Sequence, residues 1–179
     1  MENSLSNHRC KSTIVESGIP NKVKLGPNVY LGLRVKIGFA EDIDNPILHP
    51  YVVNRHYCLA TWIDPSEEFR TLPALGLPDP VWDTECVFLL NKFPDDCTSL
   101  NLEVTRINSV IGAATSSGVV TVGKAMIPLP TQLYSRIAGR FGLVRPYGEG
   151  YKEEGHVALS MELRKYILTT KGTLMGVCN

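Results

Sequence analysis

The 179-residue sequence lacks several features that would place it in a familiar functional class. Lysine and arginine together number 18, as do aspartate and glutamate, so the chain carries no net charge at pH 7. The overall charge therefore gives no attraction to nucleic acid or to an anionic membrane, and any such attraction must come from a local patch. We expect no nucleic-acid partner.

Paired cysteines and long apolar runs are absent as well. The five cysteines are scattered and none belongs to a Cys-x-x-Cys pair, which is not typical of a disulfide framework or a zinc knuckle. No run reaches the roughly 18 apolar residues of a membrane-spanning helix, and the polar N-terminus has no apolar signal core. We therefore expect reduced thiols in a cytoplasmic protein that contacts membranes peripherally, if at all.

What the sequence has in plenty is alternation with a period of two residues. Between Leu31 and Phe39, apolar residues at odd positions alternate with Gly32, Arg34, Lys36 and Gly38. This period indicates a strand with one buried and one solvated face, as in antiparallel sheets. Strands are predicted at about residues 29–39, 52–63, 69–72, 82–90, 100–105, 119–127, 140–144 and 155–166. Eight short strands predict an all-β sandwich or barrel.

The remaining segments complete the predicted organisation. Residues 1–26 are polar and without period, and we expect a flexible N-terminal arm there. The β domain is placed at residues 27–167, and a C-terminal tail at residues 168–179. One short helix is predicted within residues 129–138, where Leu133 and Ile137 are four positions apart.

Several motifs, in the same order along the chain, resemble those of the C2 domain, particularly of small plant C2 domain proteins. The most specific is Pro80-Val81-Trp82-Asp83, which is similar to the family's Asn-Pro-Val-Trp-Asn, with Asp79 replacing the first Asn. Further matches are residues 33–43, 57–63, 102–104, 122–129 (similar to Ile-Gly-x-x-x-Ile-Pro-Leu) and 155–163. The resemblance covers about residues 29–166 and implies an antiparallel, eight-stranded Greek-key β-sandwich. Trp82 is expected to pack in its core.

Calcium-dependent lipid binding is the best-known chemistry of the C2 family, but the acidic residues it needs are largely missing. Calcium takes about six to eight oxygen ligands, mostly from carboxylates. The resemblance places Asp42 and Asp44 in the first loop, whereas Arg106 and Asn108 stand where the third loop should present Asp-x-Asp. We therefore expect Asp42, Asp44 and Asn108 to be remnants of a degenerate site, with no functional calcium and no other cofactor.

Two surfaces are candidates for contact with a membrane. The first is a basic face, of the kind that binds anionic headgroups in C2 domains without calcium, and its predicted members are Arg34, Lys36, Arg55, Arg70, Lys92 and Lys124. Each cation near such a membrane contributes about 1 kcal/mol; the alternative is a solvated face with randomly distributed charges. The second is the uncharged loop around Val110 and Ile111, which would insert into the bilayer interface or meet a partner protein.

The resemblance thus implies a non-enzymatic C2 domain protein that binds anionic phospholipid membranes peripherally and without calcium. The alternative is a protein-interaction adaptor in plant stress or defence signalling that binds a membrane-associated partner. Salt separates them, because binding through lysine and arginine weakens at high ionic strength. Catalysis has little support: His56 and Cys58 share a strand face, but no third ligand or orienting group accompanies them.

Overall fold

The computed structural model describes residues 13–15, 21–44, 55–76, 79–107, 118–169 and 174–177. In chain order its strands are β1 (Thr13–Val15), β2 (Lys24–Gly26), β3 (Val29–Glu41), β4 (His56–Trp62), β5 (Phe69–Arg70), β6 (Ala74–Leu75), β7 (Val81–Leu89), β8 (Ser99–Ile107), β9 (Val119–Pro128), β10 (Arg136–Tyr147), β11 (Gly150–Leu168) and β12 (Leu174–Gly176). The prediction of an all-β chain is confirmed.

The strands form one curled sheet whose two halves face each other as the layers of a sandwich. The first layer has the order β1–β7–β3–β11–β10, and the second has the order β9–β8–β4–β5. Between the described strands β10 and β9, which join the layers, one residue pair is formed, Val144 with Lys124. β1 runs parallel to β7, and the other described strand pairs are antiparallel. The predicted antiparallel sandwich is therefore confirmed.

The core lies between the two layers and is built from alternate residues of each. On β3, the residues that the alternation predicts to be buried are at most 1% exposed: Leu31, Leu33, Val35 and Ile37. The same core cluster takes in side chains from both layers, among them Met161, Leu163, Tyr57, Leu59 and Leu102. Complete burial of one such side chain contributes about 1.5–3 kcal/mol. The intervening residues of each strand face outward, and they form the two outer faces of the sandwich.

Trp82 lies at the margin of this core. Its ring is half-buried and packs against the core cluster, and its indole Nε1 donates a hydrogen bond to the carbonyl oxygen of Tyr57 at 3.0 Å. Tyr57 belongs to the second layer and Trp82 to the first. The tryptophan of the Pro-Val-Trp motif therefore ties the layers together as well as covering apolar surface.

Three short strands were not predicted from the sequence. β1 and β2 fall within the segment expected to be a flexible arm, and β12 falls within the expected tail. Lys22, also in the expected arm, is buried and forms an ion pair with Glu67. A strand of three residues at the margin of a sheet is too short to show a period, so the alternation gives no sign of these additions.

The helix predicted within residues 129–138 is not formed. The chain makes a turn there, with Tyr134 at a positive φ of 64°, and β10 begins at Arg136. Leu133 and Ile137 both pack against the core, one from the turn and one from the strand. Their spacing of four therefore reflects burial from two different elements and not one helical face.

Candidate functional site

One end of the sandwich, here called the loop end, is where β3 ends, β4 begins and β8 ends. Asp44 lies there, 1% exposed, and Arg106 of β8 donates a hydrogen bond from Nη1 to its Oδ2. Arg55, just before β4, donates to the main-chain oxygen of Asp44, and its Nη1 lies 3.9 Å from Oδ2. The hydroxyl of Tyr57 donates to the same Oδ2 at 3.1 Å. These four residues form a buried arginine–aspartate cluster.

A second carboxylate at the loop end is also engaged. Glu154 of β11 is 5% exposed, and its Oε1 accepts a hydrogen bond from the main-chain N–H of Asp44 at 2.9 Å. Its Oε2 lies 3.2 Å from Nε of Arg145 on β10. The two buried acidic side chains of this end are therefore held by arginines and by backbone.

The phenol of Tyr57 is kept in its protonated form by these surroundings. Burial raises its pKa to about 12, and the negative charge of Asp44 acts in the same direction. A protonated hydroxyl can donate a hydrogen bond, whereas a phenolate beside a carboxylate would repel it. Tyr57 therefore supports the charge of Asp44 across the pH range in which proteins normally work.

Gly155 fixes how closely β11 approaches this end of β3. Its φ is +68°, and a Cβ atom on it would lie 2.3 Å from the carbonyl oxygen of Glu41. Only glycine satisfies both conditions, because it has no Cβ and tolerates a positive φ. The same close approach sets the turn that follows β3, in which Asp42 and Asp44 have φ values of 56° and 52°.

The residues of the predicted degenerate calcium loop have different environments. Asp42 is exposed to solvent, Asp44 is buried in the cluster, and Asn108 lies outside the described residues. Arg106 is recognisable in the sequence as a missing acidic residue, but not as the partner of Asp44. A basic residue in place of an expected ligand was the available signal for this pairing.

The six residues predicted to form one basic face do not come together. Arg55 is 4% exposed because it is bound to Asp44, so it leaves the surface set. Arg34 and Lys36 lie on the outer face of the first layer, whereas Arg70 and Lys124 lie on that of the second. Layers that pack by their inner faces direct their outer faces apart, which the sequence alone did not reveal.

The remaining predicted cations also have acidic neighbours. Their ion pairs are Arg34–Glu85 (2.8 Å), Lys36–Glu85 (3.9 Å), Arg70–Glu68 (2.6 Å), Lys92–Asp95 (2.9 Å) and Lys124–Glu103 (3.5 Å). Lys92 lies in the turn after β7, away from both outer faces. Exposed pairs of this kind contribute little to stability, but each one reduces the local excess of positive charge.

The outer face of the first layer nevertheless gathers two basic residues that sequence reasoning missed. Arg136 of β10 and Arg34 of β3 are in register with Glu162 of β11, one on each side of it. Arg164 lies two residues further along β11 on the same face. We call Arg34, Lys36, Arg136 and Arg164 the first-layer basic surface. Its strands are distant in sequence, so only their pairing brings these residues together.

An apolar row crosses the outer face of the second layer at the loop end. His56 is in register with Leu75 on one side and with Ile107 on the other, and Ile107 is in register with Val119. The three apolar side chains are 55%, 36% and 40% exposed, in that order. Val110 and Ile111, the predicted insertion loop, lie outside the described residues. The apolar row was not predicted.

The His56 and Cys58 pair has no environment that favours nucleophilic catalysis. Cys58 is buried, and desolvation raises the pKa of its thiol, whereas a reactive thiol needs a lowered one. No group of three or more His, Cys, Asp and Glu side chains suited to a metal ion occurs in the described part of the chain. Nor do the described residues include a helix long and apolar enough to cross a bilayer.

Comparisons with known proteins place this architecture. No protein-family model matches the sequence, and no curated protein matches it. Among solved structures, the paired C2 domains A and B of extended-synaptotagmin 2 match with a TM-score of 0.52 and 14% identity, over 75% of this chain and 39% of that one. This chain therefore spans well under half of that two-domain structure.

Two single-domain structures match over nearly their whole length. One is the A-type C2 domain of a plant extended synaptotagmin 1, with a TM-score of 0.50 and 13% identity, over 77% of this chain and 96% of that one. A structure described as a C2 domain gives 0.51 and 13%, over 75% and 98%. The resemblance inferred from the motifs is confirmed at the level of the fold: this chain has the fold of a C2 domain.

Proposed function

We propose that this protein is a non-enzymatic C2 module that binds anionic phospholipid membranes peripherally and does not need calcium to do so. The observation that carries the proposal is the arginine–aspartate cluster. Two guanidinium groups, those of Arg55 and Arg106, surround the Asp44 carboxylate. Together they have the charge of one calcium ion.

Calcium would have to displace these arginines to reach the carboxylates. Breaking a buried ion pair by removing one partner typically costs about 3–5 kcal/mol. The ion would find Asp44 and Glu154, each already hydrogen-bonded, and it needs about six to eight oxygen ligands. The loop end is thus ordered by charges that belong to the chain.

Two exposed features support membrane contact. The apolar row of Leu75, Ile107 and Val119 lies at the loop end, and each Å² that it removes from water contributes about 25 cal/mol. The first-layer basic surface provides cations, each of which contributes about 1 kcal/mol near an anionic leaflet. Apolar area and positive charge together are the usual components of peripheral membrane binding.

Co-sedimentation with phosphatidylserine vesicles tests the proposal. We expect the same pelleted fraction with calcium and with a chelator, and a fraction that falls as sodium chloride is raised. Pelleting that requires calcium would contradict the role given to Arg106 and Arg55. No pelleting under any condition would contradict membrane binding itself and would favour the adaptor alternative.

A further inference from the structure

The first-layer basic surface is shaped as a shallow site. A depression of about 110 Å³ opens between strands β3, β11 and β10. Its polar lining consists of Arg34, Lys36, Arg136, Ser160, Glu162 and Arg164. The strand register places Ser160 beside Lys36 and Glu162 beside both Arg34 and Arg136. Four cationic side chains thus converge on one small area of an otherwise neutral protein.

Two of these cations are fixed in position by carboxylates. Arg34 donates from Nε and Nη2 to the two carboxylate oxygens of Glu85, both at 2.8 Å. Nη2 of Arg164 lies 2.9 Å from Oε2 of Glu162, and its Nε–H has no acceptor among the described residues. These pairs hold two guanidinium groups at the rim before any ligand arrives, which lowers the entropy cost of binding.

The other two cations are available to a ligand. The side chain of Lys36 is 56% exposed and lies 3.9 Å from a carboxylate oxygen of Glu85, too far for a hydrogen bond. Arg136 is exposed, and no ion pair is seen for it within the described residues. Four cations beside two carboxylates, Glu85 and Glu162, leave an excess of two positive charges. The complementary ligand is a dianion.

We infer that this depression binds a phosphomonoester group, held by Lys36, Arg136 and the Ser160 hydroxyl and flanked by Arg34 and Arg164. A phosphomonoester carries nearly two negative charges at pH 7, whereas a lipid phosphodiester carries one. Guanidinium groups match phosphate oxygens in pairs, and a serine hydroxyl supplies a further donor. The inference deepens the proposed function and rests on it, because it names the headgroup class that the membrane surface would present.

The chain offers a matched control for testing this site. Lys36→Ala with Arg136→Ala removes two exposed cations from the depression. Arg70→Ala with Lys124→Ala removes two cations of similar exposure from the outer face of the second layer. Both variants change the net charge equally, so any general electrostatic loss is shared. Circular dichroism and a thermal melt check that both remain folded.

The experiment compares phosphatidylcholine vesicles that contain phosphatidylinositol bisphosphate with vesicles that contain phosphatidylserine at matched surface charge. We expect wild type to prefer the bisphosphate vesicles, the Lys36/Arg136 variant to lose about thirtyfold in affinity for them, and the Arg70/Lys124 variant to keep the preference. Equal losses in the two variants, or no preference in wild type, would overturn the site and leave membrane binding intact.

A calorimetric titration with soluble inositol trisphosphate separates the site from the membrane. Binding by wild type that is lost in the Lys36/Arg136 variant supports the site even where no vesicle is bound, in which case the proposed function alone fails. A protein that binds neither the vesicles nor inositol trisphosphate refutes both. A titration with inorganic phosphate shows whether the free anion suffices or the inositol ring is also needed.

Discussion

Replacing Arg106 with alanine should strongly destabilise the protein. Arg106 is 7% exposed and Asp44 is 1% exposed, so the variant leaves a buried carboxylate without its nearest guanidinium. Loss of one partner of a buried pair costs about 3–5 kcal/mol, from a total stability of about 5–15 kcal/mol for a domain. Arg55, 3.9 Å from the same carboxylate oxygen, keeps the loss toward the lower end of that range.

Urea unfolding followed by tryptophan fluorescence measures this loss. Arg140→Ala is the control, because it removes an exposed arginine that pairs with Glu41 at 3.0 Å and should cost less than about 1 kcal/mol. Adding Asp44→Ala to Arg106→Ala should recover part of the stability, because the uncompensated charge is then gone. An Arg106→Ala cost as small as that of the control would refute the view that the cluster stabilises the loop end.

Three further predictions follow from the same end of the molecule. Arg106→Asp should lower the melting temperature in chelator and regain part of it in millimolar calcium, since it adds a carboxylate beside Asp44 and Glu154; a scan with and without calcium tests this, and no calcium response would contradict it. The free energy of unfolding should fall as pH rises from 10 to about 12, because the folded-state pKa of Tyr57 is raised above its ordinary value of 10, and Tyr57→Phe should flatten that decline in urea titrations at stepped pH. Gly155→Ala should cost about 2 kcal/mol or more, because alanine at a φ of +68° is strained and its Cβ meets the Glu41 carbonyl; an unchanged unfolding midpoint would show that the backbone there relaxes easily.

Most of the sandwich could be predicted from local pattern. The alternation around Leu31 and Leu33 identifies the buried face of β3, because a strand in an antiparallel sheet carries its own record of which side is covered. Short edge strands such as β1 and β12 carry no such record. The turn before Arg136 imitates a helix in the sequence, because burial from two elements can produce a spacing of four.

The candidate sites could be predicted less well, because they depend on which strands are neighbours. Arg55 is expected at the surface because most arginines are exposed, and a buried carboxylate partner from the preceding loop is not visible in composition. Arg136 and Arg164 escape prediction because β10 and β11 meet β3 only through a long-range pairing. Sequence gives the side of the sheet on which a residue lies, and topology decides which residues share that side.

The arginine–aspartate cluster has a consequence for how such a module would respond in a cell. A bound ion can leave when its concentration falls, whereas a guanidinium is covalently attached and stays charged at any physiological pH. The loop end is therefore insensitive to calcium transients, and its occupancy of a membrane would follow the lipid composition of that membrane. A protein built in this way reports where it is, and not when a signal arrives.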